Sequence, residues 1–205
     1  MNERHLGKRR VKIPHRGDVF APGVTEESTD FCGFLVAPDL AGFIGQPPEH
    51  LRGTPLGRAF YRGSEGPDTV VDFDEATTLT AIRWLEREGA AGPWAMWVPL
   101  VFPHVPFMVE EPWFSMHERA AMPDPIDPSN GRGKPAFMAA YREAYGWDDL
   151  TSDDLREVAA TYHGMVSRVD DQFGRILAAV DAAGQTDDTL VVFLTDHGEY
   201  LGDWG

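Results

Sequence analysis

Leu190-Val191-Val192-Phe193-Leu194-Thr195-Asp196-His197-Gly198-Glu199-Tyr200-Leu201-Gly202-Asp203-Trp204-Gly205 is an apolar run that empties into a polar turn. Five apolar residues, rich in β-branched side chains and preceded by Gly184 as a stop, are too few for a buried helix and read as a central parallel strand. Such a strand delivers Asp196 and His197 to its carboxyl end, which is where ligands bind in open α/β sheets. A carboxylate beside an imidazole, followed by glycine, suits a metal site; the same tripeptide is also an ordinary turn.

Upstream, a long helix is predicted over residues 153–183. Thr151-x-x-Asp154 forms a capping box, Leu155, Val158, Tyr162, Met165, Val169, Phe173, Ile176 and Val180 make a buried stripe, and Gly184 ends the helix. A shorter helix of about three turns is expected from Leu79, Ile82, Trp84 and Leu85, with Gly89 after it. A strand over residues 94–102 follows, weakened by Pro99 inside it. Residues 14–75 are rich in glycine and proline and read as loops with room for short strands. Residues 103–150, with prolines at 103, 106, 112, 123, 125, 128 and 135, read as mostly connection. The fold class is therefore α/β, but with only two convincing parallel strands where a doubly wound sheet needs several.

Composition narrows the function classes. The 205 residues are 42% hydrophobic, enough for one globular domain with a core. A formal charge of -15 argues against nucleic acid as a partner, because phosphate backbones require a basic face. The basic residues are nonetheless uneven: Arg4, Lys8, Arg9, Arg10, Lys12 and Arg16 sit at the amino end, as a solvated tail or a local anion site. No apolar stretch is long enough to cross a membrane and no secretion signal is evident, which leaves a cytoplasmic location as the default expectation. Cys32 is the only cysteine, so an internal disulfide is excluded.

Several blocks, in order, carry a family resemblance. They are Trp97-Val98-Pro99-Leu100-Val101-Phe102-Pro103-His104-Val105-Pro106-Phe107, Glu111-Pro112-Trp113-Phe114-Ser115-Met116, Gly133-Lys134-Pro135-Ala136-Phe137, Val169-Asp170-Asp171-Gln172-Phe173-Gly174-Arg175 and Thr195-Asp196-His197-Gly198-Glu199-Tyr200-Leu201-Gly202-Asp203. Together they resemble the sulfatase family of the alkaline phosphatase superfamily. The resemblance is good over residues 79–205 and weak over the loop-rich residues 1–78. It implies one partial catalytic domain, part of a sandwich with a central, mostly parallel sheet flanked by helices.

The resemblance also assigns roles. Asp196 and His197 match metal ligands, and Ca²⁺ is the expected ion, with Mn²⁺ the alternative; a carboxylate and an imidazole together also suit Zn²⁺. His104 matches a histidine that contacts the ester's anionic group or leaving oxygen, and an imidazole there can act as donor or general acid near neutral pH. Lys8, in Gly7-Lys8-Arg9, matches a lysine that neutralises that anionic group. Asp196, His197 and His104 are expected on one edge of the sheet, with Lys8 pointing into the same cleft. The family nucleophile, a Cys or Ser in Cys/Ser-x-Pro-x-Arg, has no counterpart: Cys32 lies in Asp30-Phe31-Cys32-Gly33-Phe34 and reads as structural.

The expected function is metal-dependent hydrolysis of sulfate esters, on a small-molecule anionic substrate. The chain itself reads as an incomplete fragment, inactive alone. Phosphodiester or phosphonate monoester hydrolysis on the same scaffold is the alternative within enzymes, and a non-catalytic remnant the alternative outside them. Asp18, Asp30, Asp72 and Asp74 are further carboxylates that a fuller metal shell would draw on. Oligomeric state is not legible.

Overall fold

The computed structural model describes residues 47–64, 73–89, 92–127 and 133–204. In chain order they form a 3-10 turn, Glu49–Leu51; α1, Pro55–Arg58; β1, Tyr61–Gly63; α2, Phe73–Glu88; and β2, Phe107–Met108. Then come α3, Trp113–Met116; a 3-10 turn, Arg119–Ala121; α4, Ala136–Tyr145; a 3-10 turn, Trp147–Asp149; α5, Ser152–Ala182; and a 3-10 turn, Thr186–Asp188. β1 and β2 pair in parallel, Tyr61 opposite Phe107. The class is α/β, with a small parallel sheet among helices.

α5 follows its sequence signals closely. The Asp154 N–H donates to Thr151 Oγ1 at 3.1 Å while the Thr151 N–H donates to Asp154 Oδ2 at 2.9 Å, so two of the orphan amides at the helix start are satisfied reciprocally. At the other end Gly184 takes φ +66°, a left-handed conformation without cost to glycine, and its N–H reaches the Asp181 carbonyl at 2.8 Å. Val158, Met165, Val169, Ile176 and Val180 of the expected stripe are buried.

The described residues fall into two compact units. One takes in Val71–Val101 and Val169–Phe193. Its core is Ala81, Trp84 and Leu85 of α2 against Ile176, Ala179 and Val180 of α5, joined by Trp94, Met96 and Val98. Trp94, Met96 and Val98 are half-buried while Ala95 and Trp97 are exposed. That is the two-residue period of an extended chain.

Neither this segment nor residues 190–194 forms a strand among the described residues, which departs from the expectation of two central strands. Leu190 is 89% exposed and Phe193 68% exposed. The physical reason is that a strand is defined by its ladder: β-branched apolar residues favour the extended form, but only a neighbouring backbone supplies the hydrogen bonds. Phe193 keeps one apolar contact, its ring lying 5.3 Å from that of Phe173.

An ion pair reinforces this unit. Arg175 donates to both oxygens of Glu75 at 2.6 and 2.8 Å, and Gln172 Nε2 adds a third contact at 3.2 Å. The bonds from Arg175 hold the Glu75 carboxyl below its ordinary range, against the opposing effect of burial. A carboxyl whose folded value lies below its unfolded value, about 4.3, stabilises the fold above that pH. The contribution is lost as pH falls through the folded value. Glu75→Gln is therefore expected to flatten the fall in melting temperature below about pH 5; identical acid profiles for the two proteins would disprove the assignment.

The other unit takes in Ala41–Val70, Phe102–Arg168 and Leu194–Gly205. Leu51, Tyr61, Phe107, Val109, Val158 and Met165 form its core. Gly164 is required here: a Cβ at that position would lie 2.5 Å from the Trp113 carbonyl oxygen, so only glycine lets α5 approach α3 this closely. Beside the core, Arg119 forms a fork onto Glu157 at 2.9 and 3.0 Å, and the Tyr61 hydroxyl donates to the same carboxylate. Burial and the Glu157 charge push that hydroxyl well above its ordinary value.

The expectation that residues 103–150 are mostly connection needs correction. α4 has ten residues and ends on Gly146 at φ +64°, which returns its N–H to the Arg142 and Glu143 carbonyls. Its signals were present, Pro135 before it and Gly146 after it, but none of its residues is buried and so its apolar stripe is not a core stripe. Phe137 and Tyr141, both exposed, instead meet edge-to-face, Tyr141 stacks on the half-buried Tyr145, and Arg58 caps the end by donating to the Tyr145 carbonyl at 2.8 Å and Asp149 at 3.0 Å.

Candidate functional site

His104 sits between Pro103 and Pro106, just before β2, and is exposed. Asp196 and His197 lie in the turn after the apolar run, their side chains 86% and 61% exposed. The fold brings the rings of His104 and His197 to a centroid separation of 6.1 Å in an edge-to-face arrangement. No sequence spacing required this.

Local bonds fix what each group can offer. His104 Nδ1 lies 2.8 Å from the Val105 carbonyl oxygen, and His197 Nδ1 lies 2.9 Å from that of Gly198. A carbonyl only accepts, so each Nδ1 carries the proton and each neutral ring keeps its Nε2 lone pair for a ligand. The bond to Gly198, and after it the charge of Asp196, raises the His197 pKa above its ordinary value. Asp196 Oδ1 accepts the His197 N–H at 2.9 Å, and Thr195 Oγ1 donates to the His197 carbonyl at 2.7 Å, so the segment is also a self-bonded turn. Asp196 Oδ2 stands 4.0 Å from His197 Nε2. That is too long for a hydrogen bond, yet within the combined reach, about 4.4 Å, of two metal–ligand bonds to one ion.

The donor set thus fits a divalent ion in type and spacing, with two ligands. Among the described residues no three His, Cys, Asp or Glu side chains converge on a common point. Asp74 is buried and accepts the Val101 N–H at 2.8 Å, which occupies it structurally. Asp18, Asp30, Asp72, Cys32 and Lys8 lie outside the described residues.

The loop after His197 is anchored by contacts that the sequence reading assigned no role. The Trp204 N–H donates to the Ile126 carbonyl at 2.8 Å, and the Ile126 N–H donates to Asp203 Oδ1 at 2.7 Å. Lys134 Nζ lies 3.2 Å from the Trp204 ring centroid and 5.8 Å from that of Tyr200. These join the turn carrying Asp196 and His197 to Ile126 and Lys134. The Gly133-Lys134-Pro135 block was visible in the sequence, but its aromatic partners are set by tertiary contact.

The sulfatase family profile matches residues 39–205. The chain belongs to the sulfatase family. It is 33% identical over 149 positions to the multifunctional alkaline phosphatase superfamily protein PehA of Trinickia caryophylli, an alignment covering 64% of this chain and 29% of that protein. It is 27% identical over 219 positions to human iduronate 2-sulfatase, covering 92% and 38%, and 25% identical over 130 positions to an arylsulfatase of Clostridium perfringens, covering 60% and 26%. The chain therefore spans roughly a quarter to two fifths of the length of these curated relatives. Among the described residues, no helix of this sulfatase-family chain is long and apolar enough to cross a membrane.

Proposed function

We propose that this chain carries the metal- and anion-contacting part of a sulfuric ester hydrolase site. The observation that supports it most is the meeting of His104 with His197, each presenting a free Nε2, beside the Asp196 carboxylate. Asp196 and His197 would hold a divalent ion, Ca²⁺ first and Mn²⁺ second, and a bound ion would supply positive charge against the charge that develops on the transferring group. His104 faces the ester: as a neutral ring its Nε2 accepts a proton, and once protonated it donates to the anionic group or the leaving oxygen. Lys8 would add charge against the same anion. The turn bonds from Thr195, Val105 and Gly198 orient both imidazoles in advance of substrate.

A second reading is supported by the higher identity to the relative named multifunctional, 33% against 25–27% for the two sulfatases. Hydrolysis of a phosphodiester or phosphonate monoester uses the same positive charge and the same proton donor. The full product of the gene should be assayed with 4-nitrophenyl sulfate and a 4-nitrophenyl phosphonate monoester. A kcat/KM ratio favouring sulfate about tenfold or more supports the first reading; the inverse ratio supports the second, and hydrolysis of neither overturns both.

Two exposed ligands bind a divalent ion weakly, and stabilisation grows only with the logarithm of concentration over dissociation constant. Millimolar Ca²⁺ or Mn²⁺ is expected to raise the melting temperature of the 205-residue chain by no more than about 1 °C. A rise of several degrees, abolished by Asp196→Ala, would mean that further ligands complete the shell.

A further inference from the structure

A second pair of imidazoles meets elsewhere in the same unit, on residues with no part in the proposed reaction. His117 follows α3 and His163 lies on α5, and their ring centroids are 5.6 Å apart with a 43° tilt. We propose that His117 and His163 form a two-imidazole site for a divalent transition-metal ion that prefers nitrogen, such as Cu²⁺, Ni²⁺ or Zn²⁺. Metal–nitrogen bonds of about 2.0–2.1 Å place two rings on neighbouring positions of one ion with centres about 5 Å apart. A small side-chain adjustment closes the difference.

The hydrogen bonds around the pair set its chemistry. Ser167, one turn beyond His163, donates its hydroxyl proton to the His163 carbonyl at 3.0 Å. The same oxygen lies 2.8 Å from His117 Nε2. With its only proton spent on the carbonyl, the serine oxygen accepts, so His117 carries its proton on Nε2 and keeps the lone pair on Nδ1. A ring with one nitrogen pinned and the other bare is the arrangement of metal-ligating histidines, whose outer partners fix tautomer and orientation. His163 is exposed, and its ring makes no hydrogen bond among the described residues, so a nitrogen is open to solvent. Hard Ca²⁺ does not compete for two imidazoles, which separates this site from the one at Asp196.

The test is Cu²⁺ titration of the untagged 205-residue chain, followed by calorimetry and electron paramagnetic resonance, with circular dichroism checking the fold of each variant. Because His197 and Asp196 also offer donors to copper, the variants are compared in the His197→Ala chain, where one ion bound with two imidazole nitrogens is expected. His163→Ala and His117→Ala should each weaken binding at least tenfold and leave one imidazole, and Ser167→Ala should weaken it about tenfold. Copper binding that survives His163→Ala, or disappears with His197→Ala, would overturn the proposal. So would nitrogen-15 spectra of the metal-free chain showing the His117 proton on Nδ1, a measurement that needs no variant.

Discussion

Asp196→Ala in the full product of the gene is expected to lower kcat/KM for sulfate ester hydrolysis by about 10³-fold. A metal ion acting on the transferring group contributes several kcal/mol, and each tenfold in rate is about 1.4 kcal/mol. Asp196 Oδ2 stands 4.0 Å from His197 Nε2, so its loss removes one of the two proposed ligands and leaves the exposed imidazole. His104→Ala should cost about 10²–10⁴-fold, the range for a positioned acid–base group. The His104 effect should be greatest for esters with poor leaving groups, which need a proton most, whereas the Asp196 effect should be uniform across them. The 205-residue chain by itself contains no Cys/Ser-x-Pro-x-Arg segment, and no turnover is expected from it on either ester class. Wild-type rates in Asp196→Ala would sink the metal assignment; hydrolysis by the 205-residue chain that Asp196→Ala abolishes would instead overturn the expectation that this chain is inactive alone.

Trp84→Ala is expected to be the most destabilising single change in the α2–α5 unit. Trp84 is 2% exposed, packs among Ala81, Leu85, Ile176, Ala179 and Val180, and meets the Trp94 ring edge-to-face at 5.7 Å. Removing a buried tryptophan costs about 3–5 kcal/mol through lost burial and the cavity left behind. In a chain of this size each kcal/mol is worth about 2–4 °C, so the melting temperature should fall by about 6–20 °C. Trp84→Phe, which keeps an aromatic ring in place, should fall much less. A shift below about 2 °C for Trp84→Ala would mean that this cluster does not carry the unit's stability.

The two helices α2 and α5 were legible because their determinants are local. Capping at Thr151 and Asp154, the apolar period from Val158 to Val180 and the glycine stop at 184 all act within a few residues of where they are written. The same holds for the chemistry of the turn: Asp196 and His197 are adjacent, and their carboxylate and imidazole were visible without coordinates. α4 escapes the reading because none of its residues is buried, so its aromatic stripe of Phe137, Tyr141 and Tyr145 is not a core stripe, and a period alone does not say how deeply a face lies. Residues 190–194 show the converse. Their apolar, β-branched content reads as a central parallel strand, but a ladder needs a second backbone, and none pairs with them among the described residues.

By itself the sequence determined α2 and α5, the family blocks and the identity of the candidate ligands, because each is a property of neighbours along the chain. Only the tertiary structure decided that His104 meets His197, that Lys134 lies on Trp204, and that His117 and His163 face one another. These pairs lie far apart in sequence, and their meeting depends on the summed packing of Val158, Met165, Phe107 and the residues around them, with Gly164 admitting the close approach. No local propensity encodes such a sum.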